Sequence, residues 1–257
     1  MSRRKDQRQK TILDRLAISP TLRVGRLAED MGVTTETIRR DLEELTAQGL
    51  IARTYGGAML RQPAEPSLSE RHKELVEERA AIAAAAVPLL AGARVVMLGS
   101  GATTTQVARR MAQEMGQITV IAHSVSVAAT LSVNPTIQVL MAPGLYHPGE
   151  GAMHGSATLR FLSDVTADWC VTGASALTPA GPLDALIEAG DVYATMLRQS
   201  ARHMVVADGS KVGRIATARY GDWADIDTLV TDVAPHGPLE RALALGAVEV
   251  CVAGARA

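Results

Sequence analysis

The sequence predicts an α/β protein of two unequal parts: a small helical N-terminal domain, then a larger domain built on a mostly parallel sheet. Three observations predict it. Before residue 50, apolar residues recur at helical spacing in three short stretches. After Gly92, short β-rich apolar runs alternate with helical ones, the pattern of a parallel sheet covered on both faces. The charge divides at the same place. Residues 1–62 carry 12 Lys+Arg against 8 Asp+Glu, whereas residues 63–257 carry 14 against 19, although the whole chain has a net charge of only -1. The expected division is a domain at 1–62, a linker at 63–75 and a domain at 76–257. A basic head on an acidic body points to a nucleic-acid partner for the head.

The first helix is expected from about Lys5 to Leu16, with Ile12, Leu13 and Leu16 on one face. The second runs from about Arg23 to Met31, burying Val24 and Leu27, and Gly32 stops it in the left-handed conformation. Thr34 caps the third, Ile38, Leu42 and Leu45 form its buried stripe, and Gly49 ends it. Helix, glycine-containing turn and helix make a helix-turn-helix, whose second helix reads base edges in the major groove with its N-terminal residues. Ile51 to Tyr55 reads as a strand and Gly56-Gly57 as a tight turn, a β-wing that carries Arg53 toward a phosphate. The expected DNA contacts are Thr34, Thr35, Thr37, Arg39, Arg40, Arg53, Gly56 and Gly57. The plainer alternative is a small helical bundle with surface arginines. One such head covers little DNA, so a homo-oligomer, dimer or tetramer, is expected on double-stranded operator DNA.

Arg61 to Ser69 has two prolines and no periodicity, so it reads as linker; Ser69 is expected to cap one long helix, Glu70 to Leu90. The candidate strands are Arg94–Leu98, Ile118–Ala122, Gln138–Ala142, Trp169–Thr172, Met204–Ala207, Thr228–Thr231 and Glu249–Val252. Ligands of such sheets bind beyond the carboxyl ends of the strands. There the chain places Ser100, Gly101, Ala102, Thr103 and Thr104, where glycines and hydroxyls lead into a helix start that suits an anion. His123, Gly144, Gly173, Asp208 and Lys211 follow other strands; Lys211 suits a phosphate and Asp208 a sugar hydroxyl. The glycines match neither a dinucleotide fingerprint nor a P-loop, and no cofactor is expected.

Thr37-Ile38-Arg39-Arg40-Asp41-Leu42 with the downstream Gly56-Gly57-Ala58 resembles the DeoR-type transcriptional regulators. Ser100-Gly101-Ala102-Thr103-Thr104 and Asp208-Gly209-Ser210-Lys211 are similar to turns of the family's effector half. The resemblance spans nearly the whole chain. It implies a winged helix-turn-helix joined to a Rossmann-like domain related to sugar-phosphate isomerases. It also implies a repressor of a carbohydrate-catabolism operon, modulated by a phosphorylated sugar or related metabolite. Four positions depart from the family pattern: Gly99 for Asp, His123 for Asn, Pro143 for Gly and Tyr193 for Lys. The rival is an isomerase-like enzyme with an appended DNA-binding domain. No diagnostic catalytic motif supports it, and a regulator without enzymatic activity is expected.

Other classes are excluded by composition. Cys170 and Cys251 are too few for a disulfide scaffold or a cysteine zinc module. No run reaches the length of a membrane span, and the charged start MSRRKDQRQK lacks a secretory apolar core, so a cytoplasmic protein is expected. His147, Glu150 and His154 are spaced within reach of one metal ion but lie in an expected loop, so a solvated loop without metal is the preferred reading. Two Trp, four Tyr and one Phe leave the core to Ala, Val, Leu, Ile and Met, with the ligand held by turns and hydroxyls.

Overall fold

The computed structural model describes residues 2–18, 21–48, 50–54, 56–60 and 65–254. The chain divides into two units, Met1–Ala64 and Glu65–Ala257. Gly49 and Tyr55, expected to end a helix and a strand, lie outside the described residues, as do residues 61–64 of the expected linker.

The first unit runs α1 (Ser2–Ile18), β1 (Thr21–Arg23), α2 (Val24–Met31), α3 (Thr35–Ala47), β2 (Ile51–Thr54) and β3 (Gly57–Leu60). The spaced apolar residues of the three helices meet in one core: Ile12, Leu16, Val24, Leu27, Ile38, Leu42 and Leu45, closed by Ile51 and Ala58. Gly32 ends α2 in the left-handed conformation (φ 62°), and its N–H reaches the Ala28 and Glu29 carbonyls. Thr34 caps α3 by accepting the Thr37 N–H at 3.2 Å. Strand β1 was not foreseen, because three residues carry no readable period. It pairs antiparallel with β3, giving a three-stranded sheet in the order β1-β3-β2. Arg8 of α1 forms an ion pair with the buried Asp41 of α3, and Lys5 and Gln9 both reach Glu44.

The second unit opens with α4 (Leu68–Arg71) and α5 (Val76–Ala86) rather than one helix from Glu70 to Leu90. Ser67, not Ser69, is the cap: it and Glu70 form a reciprocal capping box. Leu75 in the left-handed region (φ 49°) separates the two helices. The Arg79 guanidinium takes up the carbonyls of Arg71 and Glu74 that the break leaves exposed. Residues 65–75, expected as linker, are therefore part of the second unit.

There follow β4 (Val95–Leu98), α6 (Ala102–Glu114), β5 (Ile118–Ala122), α7 (Val125–Leu131) and β6 (Ile137–Met141). The middle contains β7 (Leu145–His147), β8 (Ala152–His154), α8 (Ser156–Ser163) and β9 (Ala167–Thr172), then β10 (Ala176–Thr178), β11 (Gly181–Asp184) and α9 (Ile187–Arg198). The chain closes with β12 (Ser200–Val206), β13 (Ala218–Arg219), β14 (Thr228–Thr231), α10 (Pro238–Leu245) and β15 (Glu249–Val252). The seven foreseen strands form one sheet in the order β15-β14-β12-β9-β4-β5-β6, parallel throughout. The hairpin β7-β8 and the small antiparallel sheet β10-β11-β13 were not foreseen. They fall where loops were expected.

The sheet buries both faces. One core gathers Ile82, Val107, Met111 and Val127 over the sheet, and the other gathers Leu162, Val192, Met196 and Leu243. The second core is less aliphatic than composition suggests, since Tyr193, Tyr220 and Trp223 are buried in it. Strand order reverses between β4 and β9: from β4 the chain steps outward to β5 and β6, from β9 to β12, β14 and β15. At such a switch point the loops part and leave a crevice beyond the strand ends. No helix among the described residues is long and apolar enough to cross a membrane.

Candidate functional site

In the first unit the expected DNA-contacting residues separate into two kinds. Thr35, Arg39 and Arg40 are exposed on α3, and Arg53 is exposed on the wing. Glu36 lies 3.9 Å from Arg39 and 3.6 Å from Arg40, exposed pairs that hold neither arginine firmly. Arg53 Nη1 lies 3.5 Å from the Arg39 carbonyl, so the wing arginine stands beside α3. Thr34 is the helix cap, and its hydroxyl lies 2.8 Å from that of Thr37. Gly56 (φ 83°) turns the wing. Gly57 does not belong with them. It is buried, and a Cβ there would stand 2.0 Å from the Leu22 carbonyl oxygen, so its lack of a side chain admits β1 against β3.

In the second unit the turn after β4 meets the turn after β9 at the switch point. Ser100, Gly101, Ala102, Thr103 and Thr104 line a cleft together with Gly173, Ala174 and Ser175. Gly101 takes φ 130° as the residue before α6, and no side chain caps this helix. The Thr104 and Thr105 hydroxyls turn back onto the Gly101 carbonyl, at 3.0 and 2.7 Å, and fix the turn. The first-turn N–H groups of α6 thus remain available beside the cleft, the arrangement that favours an anion.

Three cations line the same cleft: Arg71, Arg79 and Lys211. Each is matched. Arg79 Nε lies 3.1 Å from Asp208, with both side chains buried. Arg71 pairs with Glu150 and stands 3.7 Å from Glu65. Lys211 Nζ lies 3.0 Å from the same Glu65 carboxylate. Glu150, Asp184 and Tyr193 complete the lining. Arg71, Arg79 and Asp184 were not foreseen as site residues, and Tyr193 only as a departure from the family pattern. Two arginines around an alanine-rich helix give no spacing signal, and β11 was not recognised as a strand.

A buried polar frame stands beneath the two turns. Tyr193 donates its hydroxyl to the Ser100 carbonyl at 2.8 Å, and the Ser100 hydroxyl lies 3.0 Å from it. His123 Nε2 accepts the Ser100 N–H at 3.1 Å, which leaves Nδ1 to donate to the Met153 carbonyl at 3.0 Å. Tyr220 donates to the Gly173 carbonyl and packs edge-on against Tyr193, ring centres 5.1 Å apart. Burial drives the His123 pKa down to about 4 and pushes both phenols upward. His123 is thus neutral and structural.

Three expected effector contacts therefore take other places. His123 lies under the turn rather than in the cleft. Asp208, expected to accept from a sugar hydroxyl, is occupied by Arg79 and by the N–H and hydroxyl of Ser210. Gly144 is a packing position, since a Cβ there would meet the Thr158 hydroxyl at 2.1 Å and the His154 carbonyl at 2.7 Å. The departures Gly99 and Tyr193 prove to be coupled: a Cβ at Gly99 would lie 2.9 Å from the Tyr193 ring. As for the metal candidates, Glu150 is held by Arg71, while the His147 and His154 rings stack 5.8 Å apart. Among the described residues no group of three or more His, Cys, Asp or Glu side chains is arranged to hold a metal ion.

Comparison with known proteins matches both units. A family model described as the DeoR C terminal sensor domain matches residues 74–233, and one described as the DeoR-like helix-turn-helix domain matches residues 8–64. The chain is 28% identical to the HTH-type transcriptional repressor CsqR of Escherichia coli (strain K12), over 89% of this chain and 88% of that protein. It is 29% identical to the glycerol-3-phosphate regulon repressor of Escherichia coli (strain K12), over 89% of this chain and 91% of that one. Among solved structures it is similar to a D-ribose-5-phosphate isomerase in complex with phospho-erythronic acid. There the TM-score is 0.41 and identity 16%, over 53% of this chain and 54% of that one, too distant to bear on function.

Proposed function

Since the chain belongs to the DeoR family of transcriptional regulators, we propose that it represses a carbohydrate-catabolism operon under the control of a phosphorylated sugar or sugar derivative. It is a DNA-binding regulator; its relatives are named as regulators, not enzymes. The exposed α3 enters the major groove of operator DNA, with Thr35, Arg39 and Arg40 toward base edges and Arg53 toward a phosphate. It works in the cytoplasm as a homo-oligomer, with half-sites about 10 bp apart or a multiple of that.

One observation carries the sensing part of this reading. The uncapped start of α6 and the ammonium of Lys211 line one cleft, and both favour a phosphate. The carboxylate of Glu65 sits on Lys211 and near Arg71. A phosphate reaching Lys211 competes with that carboxylate. Glu65 is the first residue of the second unit, so its release acts at the end of that unit next in sequence to the DNA-binding one. Differential contact of this kind is what lets a ligand shift one arrangement over another.

Operator-shift titrations with a panel of phosphorylated sugars test the reading. At least one is expected to change operator affinity without being consumed. Glu65→Gln is expected to mimic the ligand, moving unliganded operator affinity toward the liganded value. Turnover of a sugar phosphate, or no response to any phosphorylated compound, would sink the proposal.

A further inference from the structure

The lining of the cleft holds both signs of charge, and the carboxylates in and around it are not equivalent. Glu150 is on Arg71, Glu65 is on Lys211, and Asp208 is on Arg79. Asp184 lines the cleft without a salt bridge to any described residue. Its one described side-chain hydrogen bond is from the Leu186 N–H to Oδ1, at 3.0 Å. Burial, with Glu150 and Glu65 nearby, pushes its pKa up to about 6, so it is still an anion at neutral pH. An ionised carboxylate only accepts hydrogen bonds. Whatever part of a ligand comes beside it must donate, and a second phosphate or a carboxylate there meets a like charge in a partly desolvated place.

We propose that Asp184 is a specificity-determining residue. It selects an effector with a single phosphate whose remaining part bears hydroxyl donors and no second anionic group. The proposal rests on the cleft being an anion site, and it adds the side of the ligand that the anion site does not read. Asp184 also sits at the end of β11, and its main-chain carbonyl accepts the Thr217 N–H at 3.0 Å, so the carboxylate is set by a strand end rather than by a free loop. Ser175 lines the cleft with it and offers a hydroxyl rather than charge to the same ligand.

Calorimetric titration of the full-length protein with three probes tests this: inorganic phosphate, fructose 6-phosphate and fructose 1,6-bisphosphate. The wild type is expected to bind the monophosphate about tenfold more tightly than the bisphosphate, the sign set by like-charge repulsion. Asp184→Asn keeps Oδ1 for the Leu186 N–H and removes the charge; it is expected to bring that ratio close to one. Inorganic phosphate, which needs only α6 and Lys211, should change by less than about threefold. Asp184→Ser is the second variant, should the amide misfold, and is expected to move the ratio the same way. A wild type that favours the bisphosphate overturns the proposal. So does a ratio unmoved by both variants while phosphate still binds, an outcome that leaves the anion site standing. If none of the three probes binds the wild type, the anion site falls and the role of Asp184 falls with it.

Discussion

On α3 the arginines stand in water: Arg39 and Arg40 are exposed, with Glu36 the carboxylate near both. In the cleft Arg71, Arg79 and Lys211 are buried, and each is already held by a carboxylate. The difference follows from what each region must do. An exposed cation costs little to keep unmatched, and it meets a polyanion by an attraction that salt screens. A cation withdrawn from water must be neutralised in the free protein, or the fold bears its desolvation. DNA binding therefore adds charge pairs to the head, whereas an anion entering the cleft would exchange one carboxylate partner for another anion.

The contrast can be put under strain by removing one charge from each side. Arg79→Met leaves Asp208 buried without its partner and strips the Arg71 and Glu74 carbonyls of their donor. It is expected to cost about 3–5 kcal/mol of stability. Denaturant unfolding followed by tryptophan emission checks this, because Trp169 and Trp223 both lie in the second unit. A loss below about 1 kcal/mol would mean that the pair is solvated and the contrast overstated.

Next in size is a pair of opposed titrations beneath and beside the cleft. His123 falls from 6.5 to about 4, so its contribution is present above pH 6.5 and is lost as pH falls toward 4. Asp184 rises from 3.8 to about 6, so its contribution is present below pH 3.8 and is lost as pH rises through 6. Each amounts to roughly 3 kcal/mol at full extent, and over pH 4–6.5 the two slopes oppose. Wild-type stability is expected to be nearly flat there as far as these two groups decide it. Asp184→Asn is expected to unmask a loss of stability on acidification. Parallel stability–pH curves for variant and wild type would show that the two groups do not titrate as stated.

On the head, Arg39→Ala should leave folding stability within the small range usual for a surface change, about 0.5 kcal/mol. Its cost appears on DNA, about 1–3 kcal/mol of operator affinity if the side chain reads a base. Fluorescence anisotropy at two salt concentrations separates the possibilities: a phosphate contact alone lowers the salt slope by about one and weakens all sequences alike. Unchanged affinity for every sequence would remove Arg39 from the interface.

The two regions also differ in how much of them the sequence made legible. The core of the head is a set of i, i+3 and i+4 spacings, and Ile38, Leu42 and Leu45 are buried as that spacing demands. All seven strands of the parallel sheet were visible, because a strand buried on both faces is a short apolar run between turns. From strand ends alone the glycine–threonine turn, Gly173 and Lys211 could be placed at one rim. What spacing does not carry is partnership across the chain. Asp41 stands in the string that carries the family resemblance, and nothing in that string shows that it is tied to Arg8, 33 residues away. Gly57 looked like a wing turn and is a close approach to β1. His123 and Asp208 have the right chemistry at the right rim, yet their polar atoms are spent on Ser100 and Arg79. Gly99 and Tyr193 looked like two separate losses from a pocket, and only their contact shows them as one rearrangement.

The long reach of the Arg79–Asp208 pair has a consequence for the order in which the protein is made. The pair joins residues 129 apart, and Lys211 meets Glu65 across 146. Every core contact of the head lies within its own first unit. Chains emerge N-terminus first, and domains close as units when their residues are available. Contacts distant in sequence form late, since the loop they close must be drawn in first. The core of the head is thus complete while the ribosome has yet to supply Asp208 or Lys211. For that interval a nascent chain has the core of its head but not yet the ion pairs that line its cleft.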